Sequence, residues 1–342
     1  MGDVLVTPGI RSSLPFLGGE NMKFAKAIIA AILLSTATVP AMADYPDRPI
    51  TLYVAWGAGG GTDAVARVIA VGLEKELGQP INVVNRTGGS GVVGHAAMAD
   101  ADADGYTLGL ATTEVNLMHW LGLTDLTYEV YTPLALMNQD PAGVQVSADS
   151  KYQNVAELLE EIKNSPAGTF RATGSGQGSS WHVAIAGLLN AQGIDASKVT
   201  WVPSDGAASG LQELLAGGTD IVPSSLVEAR ALIAAGRVKS LAYMGSERSK
   251  LFSDVPTLKE ETGSDWEFGA WRGIVAPQGL PDDIRDRLVA ALDAVYKSDE
   301  YHEFIGAQGF GAQFLPGEEF GKFMATNDVN FGETMKAIGL AK

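Results

Sequence analysis

The sequence predicts an α/β fold built in two halves, and three observations predict it. Short apolar runs alternate with amphipathic runs of helical period. The alternation starts again near residue 144. Gly/Ser-rich turns stand where strands pass into helices.

The first half opens with Ile50-Thr51-Leu52-Tyr53-Val54-Ala55, a near-continuous apolar run that reads as a buried strand. It ends in Gly57-Ala58-Gly59-Gly60-Gly61-Thr62-Asp63. Val65, Val68, Ile69 and Leu73 then recur at helical spacing until Gly78-Gln79-Pro80 stops the helix. Ile81-Asn82-Val83-Val84 is the next strand, and Thr87-Gly88-Gly89-Ser90-Gly91 opens a second helix over 92–99. Thr107-Leu108-Gly109-Leu110-Ala111 is a third strand, ending in Thr112-Thr113. Buried strands joined by helices in the order βαβαβ imply parallel pairing.

The second half begins at the strand Val144-Gln145-Val146, followed by a helix over 155–163. Phe170-Arg171-Ala172-Thr173 is a strand ending in Gly174-Ser175-Gly176-Gln177-Gly178-Ser179-Ser180, and a helix over 181–191 follows. A strand over 199–203 turns at Ser204-Asp205-Gly206 into a helix over 207–216. Asp220-Ile221-Val222 leads into a helix over 226–235, and 238–244 is the last strand of this set. Segments 282–296 and 318–338 read as helices, and Trp271-Arg272-Gly273 leads into a strand.

Hydrophobic residues make up 46% of 342, enough for two cores, which excludes wholesale disorder. The 40 acidic residues outnumber the 24 basic ones, and a net charge of −16 argues against a nucleic-acid partner. The absence of Cys excludes disulfides, thiolate metal sites and Cys nucleophiles. Near the N-terminus, Met22-Lys23-Phe24-Ala25-Lys26 is a short basic segment, 27–39 is apolar, and Ala41-Met42-Ala43 is an A-x-A cleavage site. The apolar run falls short of the roughly 20 residues a membrane span needs. Residues 1–43 are therefore read as an upstream extension followed by a signal peptide cleaved after Ala43. They carry Arg11, Lys23 and Lys26 against Asp3 and Glu20, so the chain from Asp44 has a net charge of −17.

Helix N-termini leave backbone N–H groups unpaired and carry partial positive charge. Gly allows close approach to a ligand, and Ser or Thr adds hydroxyl donors. The turns at 57–63, 174–180 and 204–206 are thus candidate anion cradles, which lets an acidic chain hold a small anion without Lys or Arg. Trp56 beside the first turn is a candidate pocket wall. Asp63 is expected to cap its helix or pair with Arg67. Of the four histidines, His182 follows the second turn and is a candidate for the site. None shows metal spacing, and no metal or cofactor is expected. Arg272 is the cation to watch. From neither Gly57 nor Gly59 is G-x-G-x-x-G met, because Thr62 and Ala64 fall on the third glycine position. No P-loop and no G-x-S-x-G elbow is present, so no catalytic residue is assigned.

Several motifs, in order, resemble the TctC/Bug family, the periplasmic solute receptors of tripartite tricarboxylate transporters. Tyr45-Pro46-Asp47-Arg48-Pro49-Ile50 resembles the family's opening, and Gly59-Gly60-Gly61-Thr62-Asp63 its P-G-G-x-x-D turn. Asn85-Arg86-Thr87-Gly88-Gly89-Ser90-Gly91 resembles N-R-P-G-A-G-G, and Asp104-Gly105-Tyr106-Thr107-Leu108 matches D-G-Y-T-L. Gly174-Ser175-Gly176-Gln177-Gly178-Ser179 with His182 is similar to the family's G-S-x-G-x-G-S…H loop. Asp254-Val255-Pro256-Thr257 and Ala276-Pro277-Gln278-Gly279-Leu280-Pro281 match D-V-P-T and A-P-x-G-x-P.

The resemblance implies a two-domain periplasmic-binding-protein (Venus flytrap) architecture with the ligand cleft between the domains. Domain I would take 44–143 and 268–342, and domain II 144–267. It implies capture of a small organic carboxylate (a di- or tricarboxylate, or an aromatic acid) and delivery to membrane permease subunits. The protein would be a periplasmic monomer. Carried over by position, Gly60, Gly61, Thr62 and Asp63 would face Ser175, Gly176, Ser179 and Ser180. Thr112 and Thr113 would line the cleft, and Ser204, Asp205 and Gly206 occupy the family's Y-K-G turn. Two departures stand out. Trp56-Gly57-Ala58 replaces the common P-F-x-P lead, and Ser204-Asp205 replaces Tyr-Lys, which weakens attraction for a second carboxylate. A sensor-coupled binding protein would share this site, and an exported α/β enzyme is the more distant alternative.

Overall fold

The computed structural model describes residues 45–342; the expected signal peptide and its cleavage site lie outside the described residues. In β1 (Ile50–Val54), Ile50, Leu52 and Val54 are fully buried and alternate with half-buried Thr51 and Tyr53. α1 (Gly61–Leu77) buries Val65, Ala66, Ile69, Ala70 and Leu73 on one stripe and ends at Gly78. The Gly78 φ of 70° is the left-handed cap that glycine reaches without strain. β2 (Ile81–Asn85), α2 (Val92–Ala99) and β3 (Thr107–Thr112) follow. β1 pairs in parallel with both β2 and β3, as the βαβαβ pattern predicts.

The sheet continues with strands that return from later in the chain. β4 (Tyr131–Pro141) pairs antiparallel with β9 (Gly269–Pro277), and β9 pairs antiparallel with β3. β10 (Ala312–Pro316) adds an antiparallel edge, giving the order β10-β4-β9-β3-β1-β2. The sheet is therefore mixed, parallel only over its first three strands.

A second set of strands lies between β4 and β9 in the chain. β5 (Gly143–Ser147) pairs antiparallel with β8 (Val238–Tyr243), and β6 (Phe170–Ala172) pairs in parallel with β7 (Val199–Trp201). Residues 221 and 222 join the two pairs through single bridges, Ala172 to Ile221 and Gln145 to Val222. The segment 220–222 that leads into α6 is thus a connector rather than a ladder. Around these strands lie α3 (Val155–Asn164), α4 (Ser180–Ala191), α5 (Ala207–Leu215), α6 (Leu226–Ala234) and α7 (Leu258–Thr262). Their core joins Val144, Leu158, Ile162, Trp181, Leu188 and Leu241. Leu117, Leu121 and Met335 also belong to it, although they come from segments flanking the six-stranded sheet.

The chain passes between the two sets of strands at adjacent points. Pro141 pairs with Gly269, and the Ala142 N–H donates to the Phe268 carbonyl at 2.8 Å. α8 (Asp282–Lys297), α9 (Asp299–Gln308) and α10 (Gly317–Ala337) complete the chain. Among the described residues, no helix is long and apolar enough to cross a membrane.

Candidate functional site

The N-termini of α1, α4 and α5 meet at a cavity of about 130 Å³, floored by β9. Each helix starts directly after a strand-end turn, so its first N–H groups have no intrahelical acceptor. α1 presents Gly60, Gly61 and Thr62 to the cavity, and α5 presents Gly206, Ala207, Ala208 and Ser209. Gly61 is required by space: a Cβ there would lie 2.9 Å from the Glu228 side chain and 3.2 Å from Arg272 Nη2. The turns leading into α1 and α5 touch, with the Gly57 N–H donating to the Asp205 carbonyl at 3.5 Å.

The third helix end is occupied by the protein itself. Glu114, in the 3₁₀ turn after β3, is 3% exposed. Its Oε1 accepts from the Ser180 N–H at 3.0 Å and from the Ser180 hydroxyl. Its Oε2 accepts from the Thr112 hydroxyl, which in turn accepts from Trp56 Nε1 at 3.2 Å. A buried carboxylate is thus satisfied by a helix N-terminus and two hydroxyls.

Arg272 on β9 forms the floor and is 1% exposed. It donates from Nε to Thr62 Oγ1 at 3.0 Å and from Nη1 to both Asn138 Oδ1 and Asp140 Oδ2 at 2.5 Å. Glu228, in the first turn of α6, lies 3.8 Å from Nη2. Burial pushes the Glu228 carboxyl up, with Arg272 opposing and Asp140 adding to the shift. Trp271 and Ser175 are lining residues whose side-chain atoms Nε1 and Oγ are buried and have no hydrogen-bond partner.

Nine of the fifteen residues expected from sequence line this cavity: Trp56, Gly60, Gly61, Thr62, Thr112, Ser175, Ser180, Asp205 and Gly206. Six lie outside its lining. Asp63 faces back into its own turn, accepting from the Gly59 N–H, Arg67 and Asn85. Burial opposes its ionisation, but these bonds outweigh burial and hold its carboxyl below the usual range. The Thr113 hydroxyl accepts from the Trp271 backbone N–H at 2.8 Å. Gly176 packs against Ser90, the Ser179 hydroxyl donates to the Gly176 carbonyl, and the Ser204 hydroxyl donates to the Gly206 carbonyl. His182 stacks on Trp201 with ring centroids 4.7 Å apart and accepts from the Gly178 N–H; burial pushes its pKa down to about 4.

Sequence reading missed Glu114, Glu228, Trp271 and the first turn of α5. Glu114 carries a faint signal, an acid directly after the Thr112-Thr113 strand end. Glu228 reads as the fourth residue of a Ser225-x-x-Glu228 capping box, which it is, so its second role stays hidden.

The family described as "Tripartite tricarboxylate transporter family receptor" matches residues 65–340, four fifths of the chain. The chain belongs to this family. Its relatives include protein BugT of Bordetella pertussis, 30% identical over 84% of this chain and 89% of that protein. Among solved structures, a ligand-free TctC solute-binding protein from Polaromonas is 35% identical, with TM-score 0.64 over 85% of this chain and 99% of that one. The periplasmic binding protein BugD is 27% identical, with TM-score 0.81 over 87% and 100%. R. palustris Rpa4515 with adipate is 26% identical, with TM-score 0.82 over 87% and 99%. This TctC-type solute-binding protein therefore has the two-domain periplasmic-binding-protein fold, and its relatives are receptors. Among its described residues, no group of three or more His, Asp or Glu side chains could hold a metal.

Proposed function

We propose that this TctC-type receptor captures a small organic carboxylate in the cavity between α1 and α5, in the periplasm, and delivers it to a tripartite tricarboxylate membrane permease. The observation that carries this reading is the pair of open helix N-termini on one cavity. Their N–H groups suit an oxyanion, and their backbone origin reconciles anion binding with an acidic chain. The leader read from sequence and the relatives' periplasmic placement support export. Cleavage after Ala43 would release the chain from Asp44.

The six-stranded sheet, with α1, carries one wall of the cavity; the second set of strands, with α4 to α6, carries the other. We take these as two lobes, with 44–143 and 268–342 in one and 144–267 in the other, closing on the ligand. The contrast between neighbours supports two arrangements of one fold: the ligand-free relative superposes less well than the adipate-bound one despite its higher identity.

The test is thermal unfolding of residues 44–342 against mono-, di- and tricarboxylates and aromatic acids. A ligand at a hundred times its Kd adds about 2.7 kcal/mol, which reads as a rise in the midpoint. Small-angle scattering should show contraction on saturation. No midpoint shift with any acid, in protein stripped of bound solute by unfolding and refolding, refutes the reading.

A further inference from the structure

The cavity has three helix N-termini and only two are free. We propose that Glu114 is a specificity-determining residue: a built-in carboxylate that pre-empts the α4 anion cradle and restricts this receptor to ligands carrying a single carboxylate. The inference rests on the carboxylate reading above and narrows it.

The geometry gives three reasons. First, Glu114 stands where a ligand's second carboxylate would go. It takes the Ser180 N–H at 3.0 Å and the Ser180 hydroxyl, the first donors of α4. Being 3% exposed and hydrogen-bonded through both oxygens, it is fixed in place. Second, the two free cradles are not independent. The Gly57 N–H reaches the Asp205 carbonyl at 3.5 Å, so the ends of α1 and α5 sit together and serve one anion between them. Third, the remaining charge opposes a second anion. Glu114, Asp205 and Glu228 line the cavity, and Arg272 is the only base among the lining residues. Arg272 is already paired with Asp140 at 2.5 Å.

Two buried polar atoms belong to residues of the lining. Trp271 Nε1 and Ser175 Oγ belong to lining residues only 1% and 3% exposed, and neither has a partner in the protein. A ligand with one carboxylate can take the free N–H groups of α1 and α5 without facing Glu114. Its other end can be apolar against Trp56, Trp181 and Trp271, or cationic towards the acids.

The probes are two series matched in length: succinate, butanoate and 4-aminobutanoate; adipate, hexanoate and 6-aminohexanoate. Calorimetry uses protein purified after expression of the full chain. In each series that binds, the dicarboxylate should bind at least tenfold more weakly than the tighter of its two single-carboxylate counterparts. In Glu114→Ala, which vacates the Ser180 cradle, the ratio of dicarboxylate to monocarboxylate affinity should rise at least tenfold. Glu114→Gln keeps the side chain's shape and removes its charge, and should move the ratio in the same direction by less. Circular dichroism establishes which variants fold; if neither does, the wild-type order decides. Equal wild-type binding of dicarboxylate and counterparts overturns the role of Glu114, as does an unchanged ratio in a folded variant; both leave the carboxylate reading intact. No binding of any acid overturns that reading and this inference with it.

Discussion

Gly176→Ala isolates closure of the cleft from contact with the ligand. Gly176 follows β6 in one of the two proposed lobes, lies outside the cavity lining, and packs against Ser90, which follows β2 in the other. A Cβ added at Gly176 would lie 2.3 Å from Ser90 Oγ, 2.5 Å from its Cβ and 2.6 Å from its Cα. Carbon atoms ordinarily approach to about 3.5–4.0 Å, so the overlap is close to 1 Å and includes main chain that no rotamer change can move. Gly176 lies outside the left-handed region, so the methyl strains no backbone angle of its own. Overpacking of this kind costs about 1–3 kcal/mol. The overlap exists only while the two turns touch, so the cost falls on the closed arrangement alone. Closure should then weaken by roughly 5–150-fold, and the apparent Kd should rise by the same factor. Calorimetry with the best carboxylate from the panel reads the affinity, and scattering reads the dimensions. The variant should keep its thermal midpoint without ligand. Ser90→Gly in the same background should restore part of the affinity, because it removes Oγ and Cβ and relieves the positive φ of 58° at Ser90. Unchanged affinity, or a large fall in the midpoint of unliganded protein, would refute a closure contact between Ser90 and Gly176.

Two further outcomes concern the buried charges. Arg272→Met leaves Asp140 and Glu228 without their cation, and should destabilise the protein by about 3–5 kcal/mol in urea unfolding; a loss under about 1 kcal/mol would mean the carboxylates are compensated elsewhere. His182 is buried with its pKa at about 4 against an ordinary 6.5. Between those values the unfolded chain holds a proton that the folded chain does not, so stability is complete above about pH 6.5 and falls as pH drops towards 4. At about 1.36 kcal/mol per pH unit the loss reaches about 3 kcal/mol. His182→Leu should flatten that part of the stability curve relative to wild type, and parallel curves would exclude His182 as its source.

The elements legible in the sequence were those whose local pattern agrees with their burial. β1, α1, α2 and α4 fall within a few residues of their expected bounds because one periodicity, or one unbroken apolar run, is set against a glycine stop. β4 was not legible. Its Pro133 and Pro141 and its polar Asn138-Gln139-Asp140 read as interruptions, whereas the structure accommodates them with register shifts and hands the polar residues to Arg272 and Gly311. The site divides the same way. Turns of Gly and Ser before helices announce backbone donors, so the α1 and α4 turns could be found. The inward acids could not, because Glu114 and Glu228 occupy positions near helix or turn starts where acids ordinarily meet solvent and the helix dipole. Only the meeting of segments 66 residues apart gives Glu114 its partner on α4. His182 shows the converse: a plausible site histidine whose ring is used up by Trp201 and Gly178.

An anchor made of peptide N–H groups has a consequence for how such a receptor changes over time. A side-chain cation can be deleted by one substitution; the amides that begin α1 and α5 persist whatever residues surround them, provided the turns keep their shape. If these amides hold the ligand as proposed, affinity for an oxyanion is nearly immune to mutation, while the walls are free to drift. On the proposed reading, altering Trp56, Glu114, Asp205 or Glu228 would change what else the ligand must be without losing the handle by which it is held. Retargeting this scaffold, by selection or at the bench, is a matter of repainting four side chains around a fixed socket.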